Sequence, residues 1–211
     1  MTRAPAPRTD YAVSVSGSAP GPNVPQRVGR ALWLPMLAMA IMAFPIGLAL
    51  GVVRAGMIGS GADPQLVAAT GNFGTAAMFV GFASVFAAIS FAIARILGVF
   101  RTGGGTVQEA AGTAVQTLRM PSTAKAFLAL MMMAMMALVA AVIGHVIVGI
   151  GLASGDLALA IGEQWAIWLE GVRRVGVATY LLAISLGLAT IVVVLRFQTV
   201  RLRELPTETA G

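Results

Sequence analysis

The only histidine of the chain, His145, lies inside a long apolar run. A neutral imidazole keeps one hydrogen-bond donor and one acceptor, and hydrocarbon satisfies neither, so the ring is expected to face other helices. Counting residues to equal depth on a second apolar run predicts a polar layer of His145, Thr179 and Tyr180. Two interpretations stay open: a polar contact between helices, or a functional group that relays protons, contacts a substrate or ligates a metal or haem.

Five methionines stand in the same run as His145, at positions 131, 132, 133, 135 and 136. Thioether sulfur is a soft ligand for Cu(I), and Met131 and Met135 share one face of a helix. This Met-x-x-x-Met spacing is similar to that in the membrane segment of eukaryotic-type copper transporters. The resemblance covers these five residues, and those transporters have three crossings where this chain has four apolar runs. Adaptable packing is therefore favoured over a copper site.

A cluster of charged and aromatic residues precedes the last apolar run. Its members, all predicted to lie at the outer face of a membrane, are Glu163, Trp165, Trp168, Glu170, Arg173 and Arg174. Glu170 stands three and four residues before the two arginines, a spacing that permits ion pairs on one helix. The two indole rings suit the headgroup layer. A solvated helix end is favoured for this cluster, and a docking surface for a partner is the alternative.

Proline and small residues mark places where helices bend or approach each other. Pro45 lies near the middle of the first apolar run, where a proline removes one backbone hydrogen bond, so a kink is expected. The pairs Gly47/Gly51 and Ala77/Gly81 are spaced by four residues, which lets helix backbones pack closely.

Four apolar runs carry these residues, at 32–53, 72–97, 125–153 and 173–196. Each is long enough to cross a hydrocarbon core, which takes roughly 20 residues. The runs are continuously apolar rather than alternating, which indicates helices and not strands. The composition agrees, because 58% of the residues are hydrophobic and 10% are charged, whereas about a quarter are charged in soluble domains. The predicted fold is an all-α integral membrane protein with four transmembrane helices.

The remaining segments are predicted to lie outside the hydrocarbon. Residues 1–30 are rich in Pro, Gly, Ser and Ala, so a disordered tail is expected before a transmembrane domain over 31–203 and a C-terminal tail over 204–211. Helical spacing of apolar residues predicts short amphipathic interfacial helices over 107–118 and 156–170. The first apolar run is too long for the apolar region of a signal peptide and is expected to remain as the first crossing.

The basic residues predict the orientation. If both termini are cytoplasmic, 11 of the 14 basic residues lie inside, and Arg54, Arg173 and Arg174 lie outside. This asymmetry is the one that the positive-inside rule describes. The formal net charge of +6 is therefore interpreted as a topology signal and not as a nucleic-acid surface. The predicted location is the bacterial cytoplasmic (inner) membrane.

No catalytic motif stands out in the sequence. With no cysteine there is no thiolate zinc site and no iron–sulfur cluster, and no carboxylate lies at predicted membrane depth, so no cofactor is predicted and an enzyme acting alone is not favoured. The predicted partners are the lipid bilayer and other membrane subunits or further copies of the chain.

By elimination, the sequence predicts a non-catalytic polytopic membrane subunit that scaffolds or stabilises a larger bacterial membrane complex. A small oligomeric transporter or channel is the alternative, although ion-coupled transport usually requires a charge within the membrane, and no carboxylate lies at predicted membrane depth. A metal or haem role based on the single histidine or on the methionines is the third interpretation.

Overall fold

The computed structural model describes residues 11–209, and most of this range is helical. In chain order the elements are strand β1 (Val13–Ser16), helices α1 (Val24–Gly59) and α2 (Pro64–Phe100), a short helix α3 (Gly105–Ala110), strand β2 (Val115–Leu118), and helices α4 (Ser122–Ser154) and α5 (Leu159–Thr209).

The four long helices α1, α2, α4 and α5 are each long and apolar enough to cross a membrane. This confirms the prediction of four membrane-spanning helices, and each predicted run lies within one of them. The helices extend beyond the predicted apolar runs at both ends. At 36, 37, 33 and 51 residues they exceed the roughly 20 residues that a hydrocarbon core requires.

The structure corrects the predicted interfacial helix over 156–170. From Leu159 onward this segment is the first part of α5, which continues without interruption to Thr209. Across the predicted junction at residue 170, Glu170 forms ion pairs with Arg173 and Arg174 one turn away on the same helix. Such pairs support helix continuity.

The structure also corrects the predicted interfacial helix over 107–118. The helix α3 ends at Ala110, and Gly112 follows with a φ of 70°, a left-handed conformation that favours glycine and ends the helix. Residues Val115–Leu118 form β2, whose four side chains are all buried. β2 pairs antiparallel with β1, with Val13 opposite Leu118. A partner strand distant in sequence thus overrides the helical spacing.

Part of the predicted disordered tail is ordered as well. Besides β1, α1 begins inside it, after a reciprocal cap in which Asn23 Oδ1 accepts from the Gln26 backbone at 3.1 Å and Gln26 Oε1 accepts from the Asn23 backbone at 2.9 Å. The C-terminal tail predicted for 204–211 continues α5 as far as Thr209. Residues 1–10 and 210–211 lie outside the described residues.

The contacts divide the chain into two compact units, and each long helix contributes a segment to both. Unit 1 comprises Met1–Leu32, Ser90–Leu128 and Ala183–Gly211, and unit 2 comprises Trp33–Ile89 and Ala129–Leu182. Unit 1 contains both strands and α3.

Each unit has its own apolar core. In unit 1, Leu118 of β2 packs with Val194 and Phe197 of α5. In unit 2, Ala69 of α2 packs with Val148 and Leu152 of α4.

Small residues allow close helix packing inside unit 2. A Cβ at Gly47 would lie 2.7 Å from the Met78 side chain, and a Cβ at Gly81 would lie 2.8 Å from Phe44. Both distances are shorter than side-chain packing tolerates, so α1 and α2 approach as they do because these positions are glycine. The helix α1 stays continuous through Pro45, and the kink expected there stays a prediction.

Candidate functional site

The polar pair of unit 2 consists of His145 on α4 and Asn72 on α2. Both are buried, and His145 Nδ1 lies 2.8 Å from Asn72 Oδ1. The amide nitrogen of Asn72 donates to the Ala68 carbonyl at 3.0 Å, which leaves its oxygen to face the imidazole. An amide oxygen only accepts, so His145 Nδ1 is assigned as the donor. His145 Nε2 is buried and has no hydrogen-bond partner among residues 11–209.

The structure corrects the predicted polar layer of His145, Thr179 and Tyr180. Thr179 Oγ1 donates to the Val175 carbonyl of its own helix at 2.8 Å. The Tyr180 hydroxyl lies 4.0 Å from the sulfur of Met135.

Depth counting missed Asn72 because of where the predicted run began. That run started at residue 72, which placed Asn72 at the membrane edge, whereas α2 begins at Pro64 and carries Asn72 inside the packed helices.

The Phe79 ring joins His145 to the charged residues of α5. It meets the imidazole edge-to-face at a centroid distance of 5.4 Å, and the Arg173 guanidinium lies 4.5 Å from its centroid. Arg173 also pairs with Glu170, whose Oε1 accepts from Arg174 Nε at 2.9 Å. A cation–π contact and a shared carboxylate therefore hold Arg173 in place. Its Nε is buried with no hydrogen-bond partner within the described part of the chain.

An open cleft of about 400 Å³ lies beside this cluster in unit 2, and we call it the Arg54 cleft. α1, α2 and α5 each contribute to its lining. The α2 wall repeats at helical spacing, and its residues are Thr70, Gly71, Gly74, Thr75, Met78, Phe79 and Phe82. The α1 wall is Gly47, Leu50, Gly51 and Arg54, and α5 adds Glu170 and Arg173.

Arg54 lies directly over Gly71 in this cleft. A Cβ at Gly71 would be 3.0 Å from Arg54 Cζ, so the guanidinium occupies the space that a side chain would fill. Within the described residues no carboxylate pairs with Arg54. In the sequence this residue stood out only as an exception to the positive-inside pattern. The structure shows that it shares a cleft with Arg173, a second exception.

The predicted outer cluster is only partly brought together at this cleft. Glu170 and Arg173 line it, whereas Glu163, Trp165, Trp168 and Arg174 are exposed and do not. The polar groups of the lining are two guanidiniums, one carboxylate and two threonine hydroxyls. Such a set can bind an anion, and it contains neither a nucleophile paired with a base nor a pair of carboxylates for acid–base chemistry.

A second polar cluster, in unit 1, was not predicted. Arg201 of α5 is fully buried, and its Nη1 lies 2.8 Å from both Glu204 Oε2 and Glu208 Oε1. Its Nη2 lies 3.2 Å from Glu208 Oε2 and 3.4 Å from Gln108 Oε1. The available signal was the spacing of these residues, since positions 201, 204 and 208 share one helix face. The predicted boundary at 203/204 divided them between two segments.

Gln108 connects this cluster to the loop around α3. Its side-chain nitrogen donates to the carbonyls of Thr102 at 2.8 Å, Gly103 at 3.0 Å and Gln116 at 3.3 Å. Its side-chain oxygen accepts from the Gln116 backbone at 2.8 Å. Every polar atom of this side chain is used to hold the loop and β2, which is the arrangement of a structural residue.

The methionine cluster lies mostly on the outside of α4. Met132, Met133 and Met136 are exposed, and Met131 and Met135 are half-buried. The part of the chain that the structure describes contains no group of three or more His, Cys, Asp and Glu side chains able to hold a metal ion.

No known protein family, no curated protein and no solved structure matches this chain.

Proposed function

We propose that this chain is a non-catalytic, multi-pass subunit of a bacterial membrane complex, and that it scaffolds or stabilises partner subunits through α1. In the most apolar stretch of α1, 17% of the residues are buried, whereas 50% are buried in the corresponding stretch of α2. Its exposed residues include a strip spaced alternately by four and three residues, which we call the α1 seam. The seam consists of Leu34, Ala38, Ile41, Pro45, Leu48 and Val52. This spacing presents one continuous strip to a neighbouring helix.

The observation that carries the proposal is the exposure of Pro45 on this seam. Proline has no N–H, so the carbonyl of Ile41 lacks its usual helical donor. Both residues are exposed, and both lie in the middle of the crossing. In hydrocarbon an unsatisfied carbonyl is costly, whereas a neighbouring helix can supply a donor. Lipid alone therefore suits this face poorly, and a protein partner suits it well.

The proposed orientation has both termini in the cytoplasm of a bacterium, with the helices in the inner membrane. The division into units supports it, because the described basic residues that are predicted to be cytoplasmic belong to unit 1 and the three predicted to be outside belong to unit 2. Arg3 and Arg8 are the two of that set that fall outside the described residues.

The experiment is purification from the native host in a mild detergent, with stoichiometric membrane partners expected. Ile41→Trp adds bulk to the α1 seam, and Ile147→Trp on α4 is the matched control, because these isoleucines are 65% and 63% exposed within the chain. Overpacking an interface costs ~1–3 kcal/mol, so Ile41→Trp is expected to lower partner recovery about tenfold, while Ile147→Trp leaves it unchanged.

Two results would overturn the proposal. The first is equal partner recovery with both tryptophan variants, because the α1 seam would then have no part in the contact. The second is a homo-oligomer that purifies alone and moves a solute across liposomes, which would support the alternative of a small oligomeric transporter.

A further inference from the structure

The three arginines that depart from the positive-inside pattern converge in unit 2. Arg54 and Arg173 line one cleft, and Arg174 shares Glu170 with Arg173. In the lining of the cleft, two guanidiniums against one carboxylate leave a charge of +1, and Arg174 adds a further positive charge beside Glu170. The other acidic residues of unit 2 do not reduce it, since Asp63, Asp156 and Glu163 do not line the cleft.

We infer that the Arg54 cleft binds the phosphate of an anionic phospholipid. Arginine presents donors in a planar fork that matches phosphate oxygens. Arg54 has no carboxylate partner among the described residues, and Arg173 is held by Phe79 and Glu170 in one orientation. Basic pockets between transmembrane helices bind anionic headgroups on the cytoplasmic side, and the same chemistry applies on the outer side proposed for Arg54 and Arg173.

The remaining lining favours an amphiphile over a free ion. Along α2 the cleft continues from Gly71, where Arg54 lies, to Met78 and Phe82. From Gly71 to Phe82 the helix rises about 16 Å, which is long enough for a headgroup and the first part of an acyl chain. On the opposite wall a Cβ at Gly51 would meet nothing within 4 Å, so the cleft is open there, and Met78 packs against Gly47 further along. A cationic end and an apolar continuation are what one phospholipid requires.

Native mass spectrometry of the full chain tests the inference, after reconstitution in bilayers of phosphatidylcholine with or without 30 mol% phosphatidylglycerol. We expect one tightly retained phosphatidylglycerol. Arg54→Gln is the test variant, and Arg174→Gln is the matched control because Arg174 is exposed and does not line the cleft. Loss of a charge-assisted hydrogen bond lowers affinity about tenfold, so Arg54→Gln is expected to show this loss and Arg174→Gln less than a twofold change.

A substitution at Gly71 provides a second test of the site. Gly71→Ala places a methyl group 3.0 Å from Arg54 Cζ, closer than ordinary van der Waals contact, so the guanidinium must shift and retention of phosphatidylglycerol is expected to fall, by less than in Arg54→Gln. Circular dichroism checks that each variant is folded, and Arg54→Gln is safe in this respect because Arg54 is exposed.

Two outcomes overturn the inference. One is equal retention of phosphatidylglycerol by the wild type, Arg54→Gln and Gly71→Ala. The other is binding of inorganic phosphate alone with the same dependence on Arg54, which would assign the cleft to a soluble oxyanion. The inference stands apart from the proposed function, because partner recovery depends on the α1 seam and lipid retention on the opposite face of α1.

Discussion

Arg201 of unit 1 and the arginines at the Arg54 cleft of unit 2 have different surroundings, although all of them lie on long helices. In unit 1 both Nη atoms of Arg201 are engaged by Glu204, Glu208 and Gln108. In unit 2 Arg173 and Arg174 share one carboxylate, and Arg54 has none within the described residues. The Nε atoms of Arg201 and Arg173 are alike, since both are buried without a hydrogen-bond partner between residues 11 and 209. The two units therefore differ in how many acceptors the Nη nitrogens of their arginines have, and in how many carboxylates balance the arginine charges.

This contrast separates a structural arginine from a ligand-binding one. A fully buried cation is tolerated when carboxylates and amides surround it, and such a set leaves none of the outer guanidinium nitrogens free for a ligand. A partly exposed cation with an incomplete set of acceptors keeps donors available. By this criterion the Arg201 cluster holds unit 1 together, and the Arg54 cleft is the proposed lipid-binding site of unit 2.

The largest expected effect is that of Arg201→Leu. Removing the cation leaves the buried Glu208 carboxylate without Arg201, and breaking a buried ion pair in this way costs about 3–5 kcal/mol. The free energy of unfolding in detergent micelles measures it. Arg203→Leu, two residues away and exposed, is the control and is expected to change it by less than about 0.5 kcal/mol. Equal effects of the two variants would remove the contrast between the units.

A second variant of unit 1, Gln108→Leu, is expected to destabilise by about 2–3 kcal/mol, since each buried polar group left without a partner costs ~1–3 kcal/mol. The Gly103 and Gln116 carbonyls and the Gln116 N–H would lose their contacts with this side chain. Hydrogen exchange at the Gln116 amide measures the local effect, and much faster exchange is expected. Unchanged exchange would show that Gln108 does not hold the loop to β2.

Local patterns in the sequence predicted the helices but not the polar clusters. Continuous apolar runs dictate membrane-spanning helices, so all four were predictable. The pairing of β1 with β2 joins Val13 to Leu118, and no local signal encodes a contact over that distance. The Glu170–Arg173 pair follows from helical spacing. The His145–Asn72 contact and the approach of Arg54 to Gly71 depend on which helices are neighbours, which one run of residues does not specify.

A double-mutant cycle on His145 and Asn72 tests whether the polar pair of unit 2 is structural. Interhelical hydrogen bonds in membrane proteins average about 0.6 kcal/mol, so the cycle His145→Ala with Asn72→Ala is expected to give a coupling of that size in unfolding free energy. The matched cycle of His145→Ala with Tyr180→Phe is expected to give none, because the Tyr180 hydroxyl contacts Met135 instead. Coupling in the second cycle would restore the polar layer predicted from the sequence.

The smallest change in stability and in lipid retention is expected for substitutions on the methionine face of unit 2. If these substitutions have no effect, the ligand-binding surface of unit 2 is limited to the Arg54 cleft. The variants are Met132→Leu and Met136→Leu. Both methionines are exposed on α4, and leucine conserves their volume and apolar character. Surface substitutions of this kind change stability by less than about 0.5 kcal/mol. Phosphatidylglycerol retention is also expected to stay unchanged, because neither residue lines the cleft. Metal analysis of the wild type and of the Met131→Leu/Met135→Leu variant completes the test: copper bound by the wild type and lost in the variant would give unit 2 a second ligand site, based on thioethers rather than on guanidiniums.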